Sequence, residues 1–298
     1  MNAPDVTDRT AYIGGPTMAA ILGVHPWSTA VGEWLRLTNR APPVEVTDVM
    51  RSGMRLERAV LDFAGEELGV PIKPGPFLLD LSHHIGGHLD GIPEALDDQI
   101  VEAKTARNRK AWGEPGSGEV PPHVAAQCLH YLGLANAQVC WVPVLFSGLE
   151  FQMYRVERDD AVIDAMRWMA AKWWTDYVVA DMPPPPQTGE DAKRLFPNSA
   201  PGKVAIASDA VAAAVERLRT LRVDLTRMEE DRDALEGTIK VCMGDADVLL
   251  VNGEQAATWR STKPAMRFDA TAFKAAQPEM HATFCREISS RRFLLKGN

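Results

Sequence analysis

Apolar side chains along this chain change their period several times, and each change predicts an element. Val31, Trp34 and Leu35 step at helical spacing after Ser28, which predicts a helix capped by Ser28 and running to Thr38. Thr47 is placed to cap a longer helix that ends at Gly69, with Met50, Met54, Val60, Leu61, Phe63 and Leu68 mostly on one face. The period then shortens to that of strands over 77–81, 85–90 and 100–104. Pro121 and Pro122 open a helix to about Asn136, since proline is tolerated in a first helical turn. Residues 139–146 and 150–156 read as strands joined at Ser147-Gly148, and Asp159 or Asp160 starts a helix carrying Trp168, Trp173 and Trp174. The alternation predicts an α/β core in which hairpins make the sheet mixed.

Four consecutive prolines, 183–186, can continue neither a helix nor a central strand. They set the expected organisation: a core over 1–182, a loose proline-rich linker over 183–207, and an extension over 208–298. In that extension Ser208 caps a long helix to about Met243, stopped by Gly244. Val211, Val215, Leu218, Leu221, Leu225 and Met228 form a coiled-coil-like seam along it. Asn252-Gly253 marks a hairpin between 248–251 and 256–259, a short helix starts at Asp269, and Phe293-Leu294-Leu295 gives an apolar end, so the extension is a long helix plus a small α+β part.

Composition narrows the class. The 298 residues are 46% hydrophobic and 24% charged, as in an ordinary globular protein. No apolar run approaches the roughly 18 residues of a membrane span, and the first ten residues show no leader pattern, so a membrane role is not expected and a cytoplasmic one is. The four cysteines, at 128, 140, 242 and 285, form no C-x-x-C pair and suit reduced thiols rather than a zinc or iron–sulfur cage. A formal charge of −8 argues against a protein that coats nucleic acid. It does not exclude a nuclease, because the acidic excess lies in the first 182 residues, where metal-binding carboxylates would sit.

The candidate chemistry is Leu89-Asp90-Gly91 followed by Val101-Glu102-Ala103-Lys104. Alternation along a strand puts Glu102 and Lys104 on one face and Ala103 on the other. The chain between Asp90 and Glu102 is long enough to turn back and pair the two carboxylates. Two carboxylates about 4 Å apart repel by roughly 4 kcal/mol at an effective dielectric of 20, and a divalent cation removes that cost. Oxygen ligands alone suit Mg²⁺ or Mn²⁺, with the Ala103 carbonyl as a further ligand. A short D-x(n)-E-x-K pattern recurs by chance on solvated strand faces, so its neighbours matter. Glu57, on the long helix, offers a third carboxylate. Gln127 and Tyr131 share one helical face at i,i+4, where they can hydrogen-bond the active-site strand or a phosphate of the DNA, and His123 extends that stripe. Lys104, Arg107, Arg109 and Lys110 make a basic run suited to a phosphodiester, and Trp112 offers an aromatic surface for a base.

Taken in order, Ile13-Gly14-Gly15, Pro26-Trp27, Gly53 to Glu57, Leu89-Asp90-Gly91, Glu102-Ala103-Lys104 and Gln127 to Tyr131 resemble the YqaJ-type viral recombinase exonucleases, relatives of phage lambda exonuclease. The resemblance spans about residues 9–180. A weaker match continues through Trp259, Arg267-Phe268-Asp269, Phe273, Pro278 and Arg292-Phe293-Leu294. It implies a PD-(D/E)XK, restriction-endonuclease-like core and two-metal hydrolysis of linear double-stranded DNA, processively and 5′→3′, in phage-type homologous recombination. For a phage-encoded chain, the bacterial host cytoplasm is the expected compartment.

In that family pattern Asp90 and Glu102 ligate metal, Glu57 binds the second ion or its water, Lys104 assists the nucleophile and Gln127 supports the site. Arg9 falls at the position that binds the 5′-phosphate in the lambda relative. A serine often follows the Gly-Gly pair; here Pro16 stands there, with Thr17 next. Relatives form a ring-shaped trimer and work with a single-strand annealing protein. Two other readings stay open: a catalytically silent DNA-binding or assembly module, and an endonuclease or helicase-linked nuclease. No Walker G-x-x-x-x-G-K-[ST] motif is present to drive a motor.

Overall fold

The computed structural model describes residues 9–42, 45–286 and 290–296. The first eight residues, read above for a leader, lie outside that description. The chain divides into two compact units, Met1–Leu195 and Phe196–Asn298.

The first unit is built on a mixed sheet. Strands β1 (Ile72–Pro74), β4 (Gly91–Pro93), β5 (Gln99–Val101), β6 (Lys104–Ala106), β7 (Val139–Phe146) and β8 (Phe151–Glu157) take part, while β2 (Phe77–Asp80) and β3 (Ile85–His88) form a separate antiparallel hairpin. β5 and β6 are two halves of one run. Both pair β7 in parallel, Val101 opposite Trp141 and Lys104 opposite Val144, with the interruption at Glu102-Ala103 between them. β4 runs antiparallel to β5 with Gly91 opposite Val101, and β8 is antiparallel to β7 on its other side.

Side-chain parity sorts the two faces. Ile100, Cys140, Val142 and Val144 pack with Val124, Cys128 and Leu132 of helix α4 (Pro122–Ala135). Val101, with Ala103, Trp141 and Met153 against it, packs with Leu61 and Ala64 of helix α3 (Asp48–Leu68). A third cluster gathers α1 (Gly15–Ile21), α2 (Ala30–Leu37), α5 (Asp160–Trp173) and the π-helical turn Trp174–Val179, through Met18, Trp34, Met166 and Trp173.

Two caps follow the sequence directly. The Thr47 hydroxyl accepts from the Met50 N–H, and Gly69 closes α3 at φ +68, a conformation glycine adopts without a Cβ penalty. α2 differs from expectation. Thr29 caps it, accepting from the Gly32 N–H, because the Ser28 hydroxyl donates to Glu33 Oε1 instead. Met50 and Met54 of α3 are exposed; only Val60, Leu61 and Ala64 are buried there, so the apolar stripe meets the sheet over half its length.

The stretch expected as a loose linker is partly ordered. Helix α6 (Gly189–Leu195) lies in the first unit, where buried Asp191 accepts from the Thr29 hydroxyl and from the Gln187 and Thr188 N–H groups. In the second unit, α7 (Asp209–Met243) is capped by Ser208 and ends at Gly244, as the pattern predicts. A hairpin, β9 (Val248–Val251) and β10 (Glu254–Thr258), turns at Asn252-Gly253, both at positive φ. Helices α8 (Ala270–Ala276) and α9 (Pro278–Phe284) follow; α9 was not foreseen.

Candidate active site

Glu102 and Lys104 share the parity of Ile100, so both face α4, while Ala103 faces α3. The Lys104 Nζ donates to Glu102 Oε1 at 2.6 Å and to Gln127 Oε1, on α4, at 2.9 Å. Asp90 precedes β4, and the Gly91–Val101 register sets it beside Glu102. Its Oδ2 accepts from the Ala103 N–H at 2.9 Å. The break between β5 and β6 thus frees one backbone donor from the sheet ladder and gives it to a carboxylate.

The electrostatics are those of an undercompensated acidic pair. Burial, then the neighbouring Glu102 carboxylate, pushes the Asp90 pKa up to about 8. Burial also raises that of Glu102, opposed by Lys104. Burial alone would lower the Lys104 pKa, but the Glu102 carboxylate, its hydrogen bond and Asp90 raise it above the usual lysine range, so the ammonium stays charged. Glu102 Oε2 is buried and meets no donor except the proton that a neutral Asp90 carboxyl would carry. Stranding a buried charged oxygen is costly unless a cation meets it. A hard divalent ion fits this donor set: Glu102 Oε2, the Asp90 carboxylate and the Ala103 carbonyl are all oxygens.

Glu57 does not complete a cage. It is exposed on α3, which covers the other face of the sheet, and it acts on both buried carboxylates only through its charge. Among the described residues, no three His, Cys, Asp or Glu side chains gather closely enough to hold a metal ion.

Tyr131, expected at the DNA, is instead buried. Its ring lies where a Cβ on Gly87 would be 2.7 Å from it, and a Cβ on Gly15 would meet both Tyr131 and the Gln127 side chain. Gly15 therefore lets α1 approach α4 closely. Tyr131 serves from beneath, its hydroxyl accepting from Gln127 Nε2 at 3.5 Å. Thr17 is also internal. Its hydroxyl donates to Glu33 Oε2 and accepts from Arg36 Nη2, so it is not free for a phosphate. Arg9 is exposed, and its carbonyl accepts from Arg36 Nη1. Arg107 and Lys110 are exposed on the loop after β6, whereas Arg109 pairs with Glu150 at 3.1 Å. Trp112 is not an open surface; it packs edge-on to Phe146 and tilted against Tyr154.

Sequence reasoning passed over an aromatic triad one turn along α4 from Gln127. The rings of His25, Trp27 and His123 meet pairwise with centroids 5.8–6.1 Å apart. Pro26-Trp27 had stood out only as part of a family motif, and His123 only as part of a stripe. No spacing rule joins residue 25 to residue 123.

The resemblance read from the motifs holds. Residues 6–138 match the family of the YqaJ-like viral recombinase domain. A relative described as uncharacterized protein YqaJ, from Bacillus subtilis (strain 168), is 27% identical over 305 residues, covering 97% of this chain and 92% of the relative. Among solved structures, an alkaline exonuclease (LHK-Exo) from Laribacter hongkongensis is similar with a TM-score of 0.45 and 15% identity, over 58% of this chain and 90% of that one. The same enzyme in complex with dAMP gives 0.46 and 16%, over 63% and 94%. A phage related exonuclease from Haemophilus somnus 129PT gives 0.44 and 13%, over 57% and 96%. With scores below 0.5, the chemistry assigned to this chain rests on its own residues.

Proposed function

From the match to the YqaJ-like viral recombinase domain, we propose that this chain is a metal-dependent deoxyribonuclease that hydrolyses linear double-stranded DNA from its ends, 5′→3′, in phage-type recombination. The observation that carries the reading is the convergence of Asp90, Glu102 and Lys104, with Glu102 Oε2 buried and met by no donor other than a protonated Asp90. A silent binding module needs no such arrangement, because a buried acidic pair costs stability without serving affinity for a polyanion.

Asp90, Glu102 and the Ala103 carbonyl would hold Mg²⁺ or Mn²⁺, and Glu57 would reach a second ion through water. Such ions lower the pKa of a bound water and draw charge from a phosphoryl oxygen. Lys104, fixed by Glu102 and Gln127, orients the attacking water and offsets charge building on the phosphate. Gln127 is in turn steadied by Tyr131. Arg107 and Lys110 steer the backbone towards the site, and Arg9 is the remaining candidate for a 5′-phosphate. A ring-shaped trimer and a single-strand annealing partner are the assembly this reading implies.

End-labelled linear duplexes and closed circles, incubated with the protein and Mg²⁺, test activity and direction together. Linear DNA is expected to lose 5′ label first, and circles to survive. Lys104→Ala and Glu102→Ala should each reduce turnover by at least about a hundredfold while remaining folded by circular dichroism. Equal turnover by wild type and Glu102→Ala would reject the assigned site.

A further inference from the structure

Trp27 is 82% exposed, yet its indole is not loose. It stands edge-on to two imidazoles, His25 at 5.8 Å and His123 at 5.8 Å, which also meet each other at 6.1 Å. The Trp27 N–H donates to His25 Nδ1 at 3.2 Å, fixing the turn that carries it. Burial, chiefly, holds both histidines below their usual pKa, so near neutral pH the triad is three uncharged rings. An exposed, braced, neutral aromatic surface is a poor solubility feature and a good stacking surface.

Its position gives it a use. His123 and Gln127 lie at i,i+4 on one face of α4, about 6 Å apart along the axis. Gln127 holds the Lys104 ammonium, and His123 is near enough to feel that charge. The triad therefore sits about one helical turn along α4 from the residue that holds Lys104, on the same helix face. Trp112, the other aromatic near the basic run, is half-buried against the core, with its ring held by Phe146 and Tyr154.

We propose that Trp27, braced by His25 and His123, is a nucleobase-stacking platform that receives the base adjoining the scissile phosphate once it leaves the duplex stack. This deepens the nuclease reading and rests on it. Every base presents a π-face, so such a platform grips DNA without sequence preference, as digestion of arbitrary ends requires. It also compensates the unstacking of the terminal pair at the site where strands must part.

The test is a double-mutant cycle on binding, with full-length protein in Ca²⁺. Short duplexes carry either a normal nucleotide or an abasic one at each of the first three positions of the 5′ end. Wild type should bind the abasic duplex roughly tenfold more weakly at one of those positions. Trp27→Ala should bind the normal duplex about tenfold more weakly and lose all discrimination, while Trp27→Phe keeps part of both. Because the side chain is exposed, these variants should fold. If Trp27→Ala and wild type discriminate equally against abasic DNA, the platform is wrong although the nuclease stands. A drop in oligomeric mass with discrimination intact would assign the face to a subunit contact and also overturn the proposal. Failure of wild type to bind any DNA end would remove both readings together.

Discussion

The two units of this chain treat their apolar side chains differently. In the first, α3 and α4 close over the two faces of the sheet, and Leu132, Val142, Val144 and Tyr154 are fully enclosed. In the second, α7 runs for 35 residues with Leu225, Met228 and Leu235 mostly open, and Met243 is its one buried apolar residue among those described. The first unit can therefore afford an expensive feature, a buried acid pair with one lysine, because the surrounding packing holds it in place. The second has little packing of its own to hold such a feature, and among its described residues no acidic side chain is buried. A site of this kind follows the packing: Glu102, at 2% exposure, is held by the elements that close over the sheet.

That contrast is open to direct attack. The largest expected effect is on Leu132→Ala, which should destabilise the first unit by about 2–5 kcal/mol, read by chemical denaturation. A loss under 0.5 kcal/mol would mean that the core does not support the site as described. Acid should follow. His130 is buried on α4, with Nε2 against the Gly86 carbonyl, and burial holds its pKa down to about 4. Its folded pKa lies below the unfolded 6.5. Its stabilising contribution is thus complete above about pH 6.5 and lost as pH falls towards 4, a change of roughly 3 kcal/mol. Denaturation midpoints at pH 7 and 4.5 should converge in His130→Gln; an unchanged gap contradicts the assignment.

Gly15→Ala comes next. The new Cβ would stand 2.7 Å from the Gln127 side chain, and overpacking there should cost about 1–3 kcal/mol and displace the group that holds Lys104. Turnover should fall with it; full activity would show that α1 can shift without disturbing the site. Smallest of all, Leu235→Ala on α7 should change monomer stability by less than about 0.5 kcal/mol. A larger loss would reveal burial on that helix.

Much of this was legible in the residues, for physical reasons. Caps with a side-chain acceptor and glycine stops announced α3 and α7, since those signals are local. Strand parity placed Glu102 and Lys104 on one face before any partner strand was known. What could not be read was anything decided across the fold. β1 and β4, three residues each and containing proline, carry no periodic signal. Thr17 looked available from its place after the Gly-Gly pair and Tyr131 from its i,i+4 spacing with Gln127, but Glu33 claims the first and two glycines enclose the second. Ser28 and Thr29 are equally good caps by type, and only the position of Glu33 decides between them. The basic run divides likewise, because Glu150, 41 residues on, claims Arg109 alone.

Diffraction from crystals soaked in Mn²⁺, with anomalous data, bears most directly on the claim that Asp90 and Glu102 form a cation site. The account predicts an anomalous peak about 2.0–2.3 Å from an Asp90 carboxylate oxygen and from Glu102 Oε2, absent in Glu102→Gln crystals treated alike. Crystals that bind manganese elsewhere while leaving those two oxygens without a peak would contradict it.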